Sequence, residues 1–358
     1  LGYPPRGPPV RIFFPADPLP TAGWDETSVS MVIDALADSI PVYDAIGDIP
    51  NISLVFSVND HETMWGAAVP DGSGECAIVI FTGLQSEPQE RFQQLLAHEI
   101  AHCFQGETWP GQHLLNYEVI KWHFEGAAEY WSNVVYPEVN LEWRHLPGLA
   151  QVELVTYLQN RSYENFIFFQ YLGSTIGNDG IAALVGGLPK ATIPGETGTG
   201  VVGQREGLAD YPNMEQIFHD FTEALTDGAV QDSSGALIPY SAPAYEVELF
   251  GPRPQILSVP LLFPFATYRF LLVADEDEQL DLSFREGGTV TTSARRSTEG
   301  VATGDPGVVI ESVTVAGLRP WSSSLPMELP EEECDSAARM VVATTSKSPS
   351  QNTGGELS

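Results

Sequence analysis

Two apolar, helix-patterned segments of this chain carry ionisable side chains where a core would ordinarily have none. The first holds His98-Glu99-Ile100-Ala101-His102; the second runs Trp122-His123-Phe124-Glu125-Gly126-Ala127-Ala128-Glu129-Tyr130. Ionised carboxylates do not sit in such surroundings without a partner, because removing a charge from water is costly unless it is paired or bound to a metal. That requirement constrains the fold more than any other feature of the sequence.

His98 and His102 lie four apart, so on a helix their imidazoles project from one face about a turn apart. That spacing lets both reach a single ion at about 2.0–2.1 Å. Glu99 is rotated off the ligand face, where it can hydrogen-bond a water on the ion as a general base. A catalytic zinc takes three protein ligands and keeps one position open, and Glu125 on the next helix completes that set. Glu129, one turn further on, is placed to accept the outer N–H of a ligand histidine and fix its ring. The competing readings are a coincidental amphipathic helix for the histidines and a solvated face for the glutamates. The aromatic and small neighbours of Glu125 and Glu129 argue against the second.

Local signals place these motifs. Ser86 offers an N-cap, with Pro88 in the first turn, for a helix running to about Gln105 and stopped by Gly106. A second helix is expected over 117–133. Upstream, 26–46 has helical spacing, with Pro41 expected to end or kink it, and 52–58, 64–69 and 76–82 read as short strands. Downstream, helices are expected over 149–160, 163–176, 179–186 and 213–227, and the Gly- and Thr-rich 189–210 reads as a mobile loop. The first ten residues read as an extended arm. Beyond about 245 the pattern becomes strand-like (255–259, 267–273, 279–284, 290–294, 308–315 and 340–345), and 346–358 reads as disordered.

An apolar fraction of 43% over 358 residues suits a globular chain of two domains, and no run approaches the roughly 18 apolar residues of a membrane span. Sixteen basic residues against 48 acidic ones give a net charge of −32, a field that repels phosphate backbones and anionic lipid. Nucleic acid is therefore not an expected partner; the acidity reads as the solvated surface of a secreted or salt-exposed protein. Leu1 opens the chain without a methionine, which points to an upstream segment removed as a signal peptide or by trimming. Cys76, Cys103 and Cys334 allow either one bridge plus a free thiol or three buried thiols, with Cys103 read as a small buried residue. Asp275-Glu276-Asp277-Glu278 reads as a solvated turn rather than a calcium site, and Asn51-Ile52-Ser53 and Asn160-Arg161-Ser162 match the glycosylation pattern.

HExxH followed some twenty residues later by Glu-Gly-x-x-Glu resembles the gluzincin metallopeptidases, a group that includes thermolysin, aminopeptidase N relatives and clostridial collagenases. The likeness spans roughly 30–230. It implies one catalytic zinc on His98, His102 and Glu125, with Glu99 as general base and Glu129 supporting a ligand. Ser162-Tyr163-Glu164-Asn165-Phe166 resembles the segment that carries the oxyanion-holding tyrosine of aminopeptidase N relatives. Tyr163 falls on the matching position, at a helix start capped by Ser162, with His219 and His145 as reserves. Met64-Trp65-Gly66-Ala67-Ala68-Val69 departs from the terminus-reading motif of those aminopeptidases, but could be an edge strand that pairs with an extended substrate. The resemblance thus implies an α+β, zincin-like catalytic domain, placed over 1–245, and the strand-like pattern beyond it reads as a separate antiparallel β-sandwich domain over 246–358. The expected function is that of a secreted or cell-surface zinc endopeptidase acting on peptide or protein substrates. An exopeptidase, or an inactive binding or adhesion module on the same fold, is the alternative.

Overall fold

In the computed structural model the described residues are 9–13, 24–59, 61, 65–71, 73–109, 117–152, 157–189, 200–240, 245–248, 257–258, 265–275, 278–285, 289–296, 309–314, 321–324, 336–345 and 356–357. They form a mixed α/β protein whose chain folds as two compact units. The first is Leu1–Leu146 with Gln159–Gly207 and Val230–Ile238; the second is Pro147–Leu158, Leu208–Ala229 and Pro239–Ser358. The two units interleave along the chain, where the sequence suggested a single boundary near 245.

The first unit is built on a four-stranded sheet in the order β1 (Val10–Phe13), β2 (Asn51–Phe56), β4 (Glu75–Ile80), β3 (Gly66–Pro70). β1, β2 and β4 run parallel, and β3 is the antiparallel edge strand, with Gly66 opposite Ile80 and Pro70 opposite Cys76. Alternate residues of β2 and β4 are buried. Ile52, Leu54 and Phe56 therefore stand beside Cys76, Ile78 and Ile80 on one inward face, as period-2 patterning requires. The expected strands all form. So does β1, within and just past the segment read as an extended arm; residues 1–8 lie outside the described residues.

Helix α1 (Glu26–Asp44) starts where Asp25 caps it, its carboxylate accepting the Ser28 N–H at 2.9 Å, and it continues through Pro41 for most of another turn. α2 (Gln89–Thr108) packs against α1 and β3. Tyr43 of α1 donates to the Ala97 carbonyl at 2.9 Å, fixing α2 one residue before His98. Two expectations for α2 are corrected. Ser86 does not cap it: that residue lies in a 3-10 turn, Thr82–Ser86, its hydroxyl donating to Gly83, and Pro88 precedes the first helical residue. Gly106 does not stop it either. The helix runs on to Thr108, and Gly106 faces the end of β3, since a Cβ there would collide with the ring of Pro70.

α3 (Tyr117–Val135) follows as expected and packs on α2 and on α5 (Phe166–Gly187). α5 joins the two helices expected over 163–176 and 179–186 across a break at Gly177, where φ is 70°. It begins at Phe166; Tyr163–Asn165 is a separate 3-10 turn, and Ser162 makes no capping bond, contrary to expectation. α6 (Val201–Ala209) occupies part of the stretch read as a loop, and 190–199 lies outside the described residues.

α4 (Leu146–Val152), in the second unit from Pro147 on, and a 3-10 turn at Leu158–Asn160, whose last two residues belong to the first unit, take the place of one helix over 149–160, with 153–156 outside the described residues. α7 (Met214–Thr226) matches the expected 213–227. The remaining strands are β5 (Tyr245–Glu248), β6 (Leu257–Ser258), β7 (Ala266–Asp275), β8 (Glu278–Arg285), β9 (Thr289–Arg296), β10 (Val309–Thr314), β11 (Trp321–Ser324), β12 (Ser336–Thr345) and β13 (Glu356–Leu357). They pair as a five-stranded and a four-stranded sheet, with parallel as well as antiparallel neighbours. How their side chains pack, the link 276–277 within the acidic run and the rest of the tail lie outside the described residues; Asp275 ends β7 and Glu278 starts β8.

Candidate metal centre

α2 and α3 bring their ionisable faces together inside the first unit. The Nε2 atoms of His98 and His102 are 3.0 Å apart, and Glu125 Oε2 lies 3.3 Å from each. Two ligands held tetrahedrally at about 2.0–2.1 Å from one zinc stand roughly 3.3 Å from each other, so this triangle has the edges such a site needs. All three side chains are buried, and among the described residues they are the group of histidines and acids that could hold a metal ion.

The electrostatics of the cluster favour a cation. Burial pushes the Glu125 carboxyl up, but His102 and His98 more than offset this and hold it well below the usual carboxylate range. Burial opposes charge on His102; Glu125, Glu99 and the Gln105 side chain outweigh it and raise its pKa. Glu99 is raised by burial, a tendency that His98 and His102 oppose and Glu125 reinforces.

Each histidine ring is set by its surroundings. His102 Nδ1 lies 2.8 Å from Gln105 Oε1, and Gln105 Nε2 donates to the Phe124 carbonyl at 2.8 Å. Since the amide nitrogen is committed to Phe124, Gln105 Oε1 must accept, so the neutral His102 ring carries its proton on Nδ1 and turns its Nε2 lone pair to the cluster. Phe124 also stacks on the His102 ring, at 4.2 Å and 13°. His98 Nδ1 is 3.7 Å from Glu129 Oε1, which puts the expected support on the expected side, but beyond hydrogen-bond length. The direct bonds of Glu129 go to Arg144 Nη2 at 3.2 Å and His145 Nε2 at 3.0 Å. Burial raises the Glu129 carboxyl, and His98, His145 and Arg144 together outweigh it, bringing its pKa down to about 2.

Arg144 and His145 belong to a 3-10 turn, Leu141–His145, held to α2 by Gln94: its Oε1 accepts the Leu141 N–H at 2.9 Å, and its Nε2 donates to Glu142 at 2.7 Å. Arg144 also lies over the Trp65 ring at 5.1 Å, and the His145 ring stacks on Tyr163 at 4.8 Å. Tyr163 lies in turn 6.0 Å from the His98 ring. Burial and the surrounding carboxylates push its phenol far up, so it stays a proton donor. The structure thus brings Tyr163 to the cluster along with His98, Glu99, His102, Glu125 and Glu129. His145 joins as the partner of Glu129. His219 lies in the second unit, paired with Glu223 on its own helix at 3.0 Å.

Besides Arg144, three features were missed in the sequence. Gln105 sits three residues past His102, a spacing that offers a side-chain contact, although no motif marks it. Tyr117 donates to Glu125 Oε1 at 2.9 Å, a contact between the first and ninth residues of α3. Gly66 on β3 leaves room for the general-base candidate: a Cβ there would approach Glu99 Cγ to 3.0 Å and Oε1 to 3.1 Å. The cysteine question also resolves. Cys76 of β4 and Cys103 of α2 form a disulfide, which selects the one-bridge alternative, and Cys103 is buried as expected.

The segment 52–195 matches a family of unknown function, DUF6055. Every side chain of the cluster lies inside that match. No curated protein matches the chain.

Proposed function

We propose that this chain is a zinc-dependent hydrolase acting on peptide bonds, of gluzincin type with a zincin-like catalytic domain, and most specifically a secreted or cell-surface endopeptidase. The observation that carries the reading is the buried triangle of His98, His102 and Glu125, with edges of 3.0–3.3 Å and Glu99 beside it. When bound, the ion supplies Lewis-acid chemistry, making a water in the open position acidic and polarising the scissile carbonyl. Glu99 takes the proton of the attacking water and passes it to the leaving nitrogen. Its raised pKa suits a group that must both accept and release a proton. Tyr163 donates its phenol hydrogen to the oxyanion that develops as the carbonyl becomes tetrahedral.

Two observations support the narrower parts of the reading. Among the described residues β3 pairs with β4 alone, which leaves an edge where an extended peptide could add alongside Glu99; that geometry suits cleavage within a chain. The Cys76–Cys103 disulfide suits an oxidising compartment. Incubation of the zinc-loaded protein with a mixed peptide library, with a chelator-treated control, tests the activity. Internal cuts that vanish with the chelator are expected; cuts at terminal residues alone would point to an exopeptidase, and no cuts at all to a binding module.

A further inference from the structure

Glu125 uses its two oxygens differently. Oε2 lies 3.3 Å from both histidine Nε2 atoms, while Oε1 accepts the Tyr117 phenol at 2.9 Å. A carboxylate beside a divalent ion can bind through one oxygen or both, and binding through both would fill the position that an attacking water needs. We propose that Tyr117 is a positioning residue that holds Glu125 to one-oxygen coordination and so keeps the fourth position of the centre open.

This rests on the metal-centre reading above and adds a role that the ligand set alone does not assign. The bond is well placed for it. The phenol donates to a carboxylate oxygen, the charge-assisted class of hydrogen bond, at 2.9 Å. Tyr117 opens α3 and is 43% exposed, whereas Glu125 is 5% exposed, so the clamp reaches into the site from its solvent side. Ser162 and Tyr163 flank the phenol, tying the clamp to the turn that carries the oxyanion donor.

Cobalt(II) substitution with added azide reads, without turnover, whether the fourth position is open. The wild-type protein with one cobalt is expected to shift its visible bands as azide takes that position. Tyr117→Phe keeps the ring but removes the donor; with cobalt still bound one to one, it should lose the azide-induced shift as Glu125 closes onto the ion through both oxygens. An undiminished shift in the variant, or no shift in the wild type, would overturn the clamp while leaving the metal centre intact, and so would loss of cobalt binding by the variant alone. Failure of the wild type itself to bind cobalt would overturn the centre and the clamp together.

Discussion

Gln105 holds His102 from outside the metal cluster: Nδ1 and Oε1 are 2.8 Å apart, and the amide is oriented by the Phe124 carbonyl on the neighbouring helix. The ring that presents Nε2 to the cluster is thus fixed by a residue one turn away on the same helix, and that residue is fixed by α3. Gln105→Ala should weaken zinc binding about 10- to 100-fold, in line with other losses of a ligand's outer partner. Competition against a chromophoric chelator measures it; an affinity equal to wild type would show that Phe124 stacking alone sets the ring.

Glu99→Gln keeps the shape of the side chain and removes its basicity. The variant should bind one zinc as wild type does, while peptide hydrolysis falls by roughly 10²–10⁴-fold, the usual contribution of a general base. Zinc content and initial rates on the same preparation check it. Survival of most of the activity would move the base elsewhere.

Glu142 is buried, accepts from Gln94, and has its pKa pushed up from 4.5 to about 8, chiefly by burial, with Glu129 and Asp232 adding to the shift. Because the folded value lies above the unfolded one, the native chain keeps a proton that the unfolded chain has released between those two pH values. This group's contribution to stability therefore declines as pH rises through that window and levels off above it. Glu142→Gln should flatten that part of the profile, gaining on wild type at pH ~8 relative to pH ~5 in denaturant midpoints. A constant difference between the two proteins across the window would contradict the assignment.

Gly106 offers a test with a reversed sign. Glycine to alanine inside a helix ordinarily stabilises by up to about 1 kcal/mol. Here the new Cβ would run into Pro70, so Gly106→Ala should instead destabilise by about 1–3 kcal/mol, seen in thermal or denaturant unfolding. A more stable variant would mean that β3 can yield at no cost.

The disulfide links residues 27 apart, a loop whose closure is worth about 3–4 kcal/mol in the chain-entropy account. The double variant Cys76→Ser with Cys103→Ala should lose stability on that scale in denaturant unfolding, and a loss below 1 kcal/mol, roughly, would show that packing of β4 on α2 carries the contact.

The legible part of the site was the part written in helical periodicity. His98 and His102 share a face because they are four apart, and Glu125 and Glu129 announced themselves as charges among tryptophan, phenylalanine and alanine. Contacts made across the fold left no such trace. Tyr117 looked only like a helix boundary, and Arg144 and His145 reach Glu129 because Gln94 holds their turn to α2. Capping rules misplaced Ser86 and Ser162, whose local signals were overridden by 3-10 turns. Gly106 was misread because a glycine that admits a neighbouring strand looks, in sequence, like one that ends a helix. Strands β2, β3 and β4 were readable as short runs between polar turns and β1 was not, while the Cys76–Cys103 pairing depended on α2 packing on β4, which three cysteines cannot reveal.

The central claim is that His98, His102 and Glu125 hold one zinc ion. Elemental analysis of the full chain purified without chelators tests it most directly. The account predicts about one zinc per chain, tightly held. A zinc content near zero, with none taken up on adding the metal, would contradict it.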